Sequence, residues 1–188
     1  MSNFYSIQLD NMKINKDLLL DFYSTVDQTK WIHRQDKLPQ YWPIDENNSF
    51  DRNHEFYKFL KENILVEIDE TRIYFSRVHS GGIPNHWDFE NFTKFQLPVI
   101  CDEPDNDWSK TPIIFIDQFD QIVESVSHNN NVPVLYSCNY MHGTIKSLSN
   151  KNERITLVVD LKYWFPRVRK RYLKGRLFTN NKAFWSMA

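Results

Sequence analysis

The sequence predicts a mainly β domain of the sandwich, barrel or jelly-roll kind, standing on a helical N-terminal part. Three observations predict it. Near Ile64 the spacing of apolar residues changes from about four to two, the change from a helical to a strand period. About eight such runs then follow one another with turn residues between them and no helical pattern separating them, which argues for antiparallel sheets rather than a parallel one. Phe, Trp and Tyr make up 15% of the 188 residues against only four glycines, a composition that suits strands filled by large rings.

Taken in order, Lys16 to Gln28 places Leu18, Leu19, Phe22 and Val26 on one face of a short amphipathic helix. Trp31 to Asn48 contains Pro39 and Pro43 and no period, and reads as a loop anchored by Trp31, Tyr41 and Trp42. Ser49 or Asp51 is placed to cap a second helix carrying Phe56, Phe59 and Leu60 up to Asn63. Strands are expected at Thr71 to His79, Ile83 to Phe89, Lys94 to Ile100, Ile113 to Asp117, Gln121 to Ser127, Pro133 to Cys138, His142 to Ser147 and Arg154 to Leu161. The length fits one domain over 1–188, with helical support in 1–63, a β core in 64–162 and a basic extension in 163–188.

Several function classes are disfavoured. A net charge of −1 gives no field for nucleic acid or membranes, and no run of about 18 apolar residues or leader-like start is present, so a soluble cytoplasmic protein is expected. Cys101 and Cys138 are too few for a disulfide framework and read as reduced and partly buried. The cluster Arg167, Arg169, Lys170, Arg171, Lys174 and Arg176 reads first as a solvated basic face, with an anionic partner as the alternative, and the acidic loop from Asp102 to Asp107 invites the same reading.

The chemistry is concentrated in a few positions. His86 and Asp88 lie two apart after an extended run, so on a strand both side chains point the same way, about 7 Å apart along the face. A 2-His-1-carboxylate Fe(II) centre needs a third ligand from elsewhere and leaves the opposite side of the metal open. His142, at the start of a later strand, is the best candidate. Arg154 and Thr156 share a face of the strand that returns toward it, where a guanidinium and a hydroxyl can grip a carboxylate. Lys94 offers a second cation, with a surface lysine as the plainer expectation. Trp87, between the two ligands, is expected to face into the core. His79 is a weaker alternative to His86; His128 is expected exposed in an Asn-rich turn, His33 and His54 stand apart in the helical part, and Asp160 reads as a strand-end residue.

The order His86-x-Asp88, His142 after 142 − 88 = 54 positions, Arg154 after 154 − 142 = 12 more, and Thr156 completing Arg-x-Thr resembles the Fe(II)/2-oxoglutarate-dependent oxygenases. Within that superfamily, Lys94-Phe95-Gln96-Leu97-Pro98-Val99 and Arg154-Ile155-Thr156-Leu157-Val158-Val159-Asp160 are similar to strands of the aspartyl/asparaginyl β-hydroxylase-like group, although Lys94 and Gln96 stand where that group usually has Arg and often His. The resemblance implies a double-stranded β-helix (jelly roll, cupin-like) with two or three supporting helices, HxD closing its second strand, the distal His on its seventh and Arg-x-Thr on its eighth. It implies Fe(II) held by His86, Asp88 and His142, which are also the catalytic set, and 2-oxoglutarate bound by Arg154 and Thr156 with help from Lys94. O2 would be the second cosubstrate, with ascorbate as reductant. The expected activity is hydroxylation of an amino acid or peptide side chain, since Asp88 leaves no vacant position for a halide. Two other classes remain at this point: a non-catalytic cupin-like small-ligand binding module, and a zinc or manganese cupin enzyme, against which the Arg-x-Thr pair speaks.

Overall fold

The computed structural model describes residues 5–9, 13–27, 40–43, 51–63, 68–78, 82–88, 93–101, 108, 111–128, 132–145, 153–161, 165–166 and 185–186. Near its start come β1 (Ser6–Gln8), β2 (Lys13–Ile14) and helix α1 (Lys16–Ser24). Asn15 caps α1, its side chain accepting from Leu18 N at 3.2 Å, and Thr25 ends the helix by donating its hydroxyl back to Phe22 O. The expected loop is a strand over β3 (Gln40–Pro43), with the remainder of 31–48 outside the described residues. Helix α2 (Glu55–Asn63) starts later than the Asp51 cap implies, and Ser49 lies outside the described residues. His54 is its cap: Nδ1 accepts from Phe56 N at 3.1 Å, while Nε2 contacts Asp21 of α1 at 3.0 Å, so one ring starts one helix and ties it to the other.

Eight strands follow: β4 (Ile68–Val78), β5 (Ile83–His86), β6 (Thr93–Cys101), β7 (Ile113–Ile116), β8 (Ile122–Val126), β9 (Val134–Ser137), β10 (His142–Thr144) and β11 (Arg154–Leu161). They are divided between two antiparallel sheets, ordered β1-β9-β6-β11-β4-β3 and β5-β10-β7-β8, changing sheet at every step except the β7–β8 hairpin. This is a double-stranded β-helix: β4 to β11 are its first to eighth strands, so His86 ends the second with Asp88 two residues beyond it, His142 opens the seventh and Arg154 opens the eighth. A short strand β12 (Trp185–Ser186) pairs with β2, whereas the basic residues Arg167 to Arg176 and the acidic loop lie outside the described residues.

Period two decides what each face does. On β11 the residues Ile155, Leu157, Val159 and Leu161 join Phe95, Leu97 and Val99 of β6 and Ile73 and Phe75 of β4 in the main core, which Leu19, Phe22, Phe56, Phe59 and Leu60 of the helices complete. Burial of that area drives folding at about 25 cal/mol per Å². The other face of the same strands looks toward the second sheet. There a smaller apolar cluster of Ile113, Phe115, Val126, Val134 and Tyr136 closes the space between the sheets. Among the described residues no helix is long and apolar enough to cross a membrane. Cys101 and Cys138 are both buried and form no disulfide.

Candidate metal centre

The inward face of the smaller sheet brings the predicted ligands together. His86 and His142 are direct partners in the β5–β10 ladder, which places their rings on one side with centroids 4.5 Å apart. Gly143 permits this pairing: a Cβ there would stand 2.6 Å from Asn85 Oδ1 and 2.8 Å from Ile83 O. Asp88 follows His86 by two residues and turns its carboxylate to both rings, with Oδ1 3.9 Å from His86 Nε2 and Oδ2 3.4 Å from His142 Nε2. The three side chains offer ligand atoms all within 4.8 Å of one another.

Both histidines are held in the same way. Nδ1 of His86 donates to Pro84 O and Nδ1 of His142 to Tyr140 O, each at 2.8 Å. A ring that donates from Nδ1 keeps its lone pair on Nε2, so both bare nitrogens face Asp88, the tautomer a metal ligand requires. Burial, and then the neighbouring His142 ring, push the His86 pKa below its ordinary value, which also favours the neutral form. Burial works against the Asp88 charge, but the contacts it makes with the His142 ring and with the Lys94 ammonium outweigh it and hold the carboxyl well below the usual range.

Lys94 is a correction. It is buried on β6, not at the surface, and its Nζ lies 2.5 Å from Asp88 Oδ2. Burial opposes its charge, yet Tyr74, Tyr136, Cys138 and Asp88 around it keep the ammonium well above the ordinary lysine value. Since burial raises both phenols as well, the Asp88 carboxylate is the anion that acts at neutral pH. Trp87 is a second correction. It follows β5 directly and, instead of facing the core, is 55% exposed and reaches solvent.

Arg154 and Thr156 are both buried on the inward face of β11. Arg154 donates from Nη1 to Thr111 O at 2.7 Å and from Nη2 to Thr144 Oγ1 at 3.0 Å. Thr144 sits two residues beyond His142 and also accepts from Ile83 N at 2.7 Å, so one hydroxyl links the guanidinium to both ligand-bearing strands. Thr156 Oγ1 accepts from Gln96 Nε2 at 3.0 Å, and Gln96 Oε1 meets His128 Nε2 at 3.1 Å. His128 is therefore not exposed: it is buried, and burial followed by the Arg154 charge pushes its pKa down to about 3. Asp160 is buried on the inward face, with Lys94 as its ladder partner on β6.

Sequence reasoning missed Gln96, Thr144 and His128. The first was legible, because Lys94 and Gln96 alternate with the core residues Phe95 and Leu97 and so must share the inward face. For His128 no local signal exists; its burial comes from strands far away in the chain. His33 and His79 lie outside the described residues.

No protein-family model matches the chain, and no curated protein matches it. Among solved structures it is similar to the coconut allergen cocosin, with a TM-score of 0.39 and 8% identity over 75% of this chain and 33% of that one. It is also similar to vicilin from Corylus avellana (hazelnut), with a TM-score of 0.34 and 12% identity over 84% of this chain and 44% of that one. The chain thus spans less than half the length of either.

Proposed function

We propose that the chain is an Fe(II)- and 2-oxoglutarate-dependent dioxygenase that hydroxylates an unactivated C–H bond of an amino acid or of a peptide or protein side chain, releasing CO2 and succinate. The observation that carries this reading is the convergence of His86 Nε2, His142 Nε2 and the Asp88 carboxylate, with both Nδ1 atoms bonded to backbone carbonyls. Two neutral imidazoles and one carboxylate are a donor set that fits ferrous iron. The reading is further supported by the placement of His86, His142, Arg154 and Thr156 on the second, seventh and eighth strands, with Asp88 two residues beyond the end of the second.

Ferrous iron, when bound, supplies the redox chemistry that couples decarboxylation of the keto acid to oxidation of a C–H bond. The chain does the rest. His86, His142 and Asp88 would hold the metal, and Lys94 pairs with Asp88 Oδ2 and so fixes the carboxylate. Arg154, its plane fixed by Thr111 O and Thr144 Oγ1, and Thr156 receive the far carboxylate of the keto acid. Phe115 and Tyr136, packed against the His142 ring, keep water from the reacting side.

The test is uncoupled turnover. Protein with Fe(II), ascorbate and 2-oxoglutarate in air is expected to form succinate, followed by NMR, and His142→Ala is expected to form none. One observation favours the alternative, a non-catalytic cupin-like binding module: an ammonium 2.5 Å from Asp88 competes with a metal for that carboxylate. Failure to bind either Fe(II) or 2-oxoglutarate in a direct titration would decide for the module.

A further inference from the structure

Deep between the sheets, three buried side chains form a hydrogen-bonded row: His128 Nε2 to Gln96 Oε1 at 3.1 Å, and Gln96 Nε2 to Thr156 Oγ1 at 3.0 Å. Such a row can run in two directions, because imidazole has two tautomers, the amide can turn over and a hydroxyl both donates and accepts. Here the surroundings choose. His128 Nδ1 and Trp108 Nε1 are both buried and, among the described residues, without hydrogen-bond partners, and the two rings meet edge to face with centroids 5.3 Å apart. If the His128 proton sat on Nδ1, two orphaned N–H donors would stand side by side in the interior. With the proton on Nε2, one orphan is an acceptor, which costs less than a buried unpaired donor.

The direction follows. His128 donates to Gln96 Oε1, the amide must then present Nε2 to Thr156, and the threonine oxygen accepts. Its own proton is left to donate elsewhere. Thr156 lies two residues from Arg154 on the same inward face of β11, so that proton is available to the anion the guanidinium holds.

We propose that His128, acting through Gln96, orients the Thr156 hydroxyl as a donor to the far carboxylate of a dicarboxylic ligand anchored by Arg154. His128 and Gln96 are then positioning residues, and Thr156 is the contact. The inference rests on the function proposed above and adds two residues outside the motif that suggested it. It also gives Gln96 a defined task at a position where the resembling group often carries histidine. Burial keeps His128 neutral well below physiological pH, so the row keeps one direction across the working range.

The experiment has two arms. In the metal-free protein, 15N-detected imidazole shifts report the His128 tautomer without any ligand; the Nε2–H form is expected, and the Nδ1–H form overturns the relay outright. In Mn(II)-loaded protein, calorimetry gives the affinity for 2-oxoglutarate and for 2-oxobutyrate, which lacks the far carboxylate. Thr156→Val is expected to weaken 2-oxoglutarate about tenfold, the scale of a hydrogen bond to a charged group. His128→Leu is expected to lose most of that factor, and adding it to Thr156→Val should cost nothing more, while 2-oxobutyrate is unaffected throughout. Losses that multiply in the double variant, or an unchanged affinity in His128→Leu, overturn the proposal. If His128→Leu does not fold, Gln96→Met breaks the same row with similar volume and is read by the same criteria. A wild-type protein that binds Mn(II) but not 2-oxoglutarate overturns the proposed cosubstrate, and with it the ligand of this relay, whatever the tautomer.

Discussion

β11 has two faces built on one backbone, and they do opposite work. Ile155, Leu157, Val159 and Leu161 are packed under the helices, whereas Arg154, Thr156 and Asp160 stand on the inward side among polar partners from the other strands. The outward face is interchangeable chemistry: any apolar side chain of the right volume serves the core. The inward face is specific, since each buried polar group needs a partner of defined direction. Stability and chemistry are thereby separated by a single residue step.

The largest test of that separation is at the ion pair. Asp88→Ala is expected to abolish metal binding and also to destabilise the fold by about 3 kcal/mol, because it strands the buried Lys94 ammonium. His86→Ala should abolish metal binding with little change in stability, and Asp88→Ala with Lys94→Met should restore stability but not the metal. Denaturant melts and a Co(II) titration monitored by absorbance check all three; a stable Asp88→Ala single variant would show that Lys94 finds another anion.

On the outward face, Leu157→Ala should cost about 2–5 kcal/mol and leave the metal affinity of the folded protein unchanged. A change in that affinity would show that the two faces are coupled through the strand.

A third prediction uses pH. His128 has a folded pKa of about 3 against an ordinary value of 6.5, and His86 is shifted in the same direction. Below 6.5 the unfolded chain takes up these protons first, so stability falls as pH is lowered from 6.5 toward 3 and is fully present above that window. Replacing His128 by Leu should flatten this part of the stability curve, measured by urea melts at several pH values. The smallest effect is expected at Trp87: 55% exposed, it should tolerate Ala within about 0.5 kcal/mol, whereas a core tryptophan would cost several times more.

The eight strands of the β-helix were legible because each alternates or is continuously apolar between turn residues, and His86, His142, Arg154 and Thr156 lie on them, although β5 ends at His86 and leaves Asp88 just beyond the strand expected to carry it. The additional strands were not. β1 and β3 lie at the sheet edges, β1 is three residues long and β3 ends in proline, so neither carries enough period to read, and both owe their conformation to the neighbours they pair with. Lys94 and His128 were misjudged for one physical reason. A residue type has an average burial, but the partner that makes burial tolerable comes from another strand: Asp88 for Lys94, Gln96 for His128. Composition near the residue says nothing of either.

The ladder between β5 and β10 also has a consequence in time. His86 and His142 are 142 − 86 = 56 positions apart, with four strands of the barrel lying between β5 and β10. A chain emerging from the ribosome therefore exposes two of the three ligands long before the third exists, and pairing across such a separation is among the slower events of folding. Assembly of all three groups is thereby a late step of biogenesis, completed when the barrel closes, so a half-made chain has no complete three-residue centre.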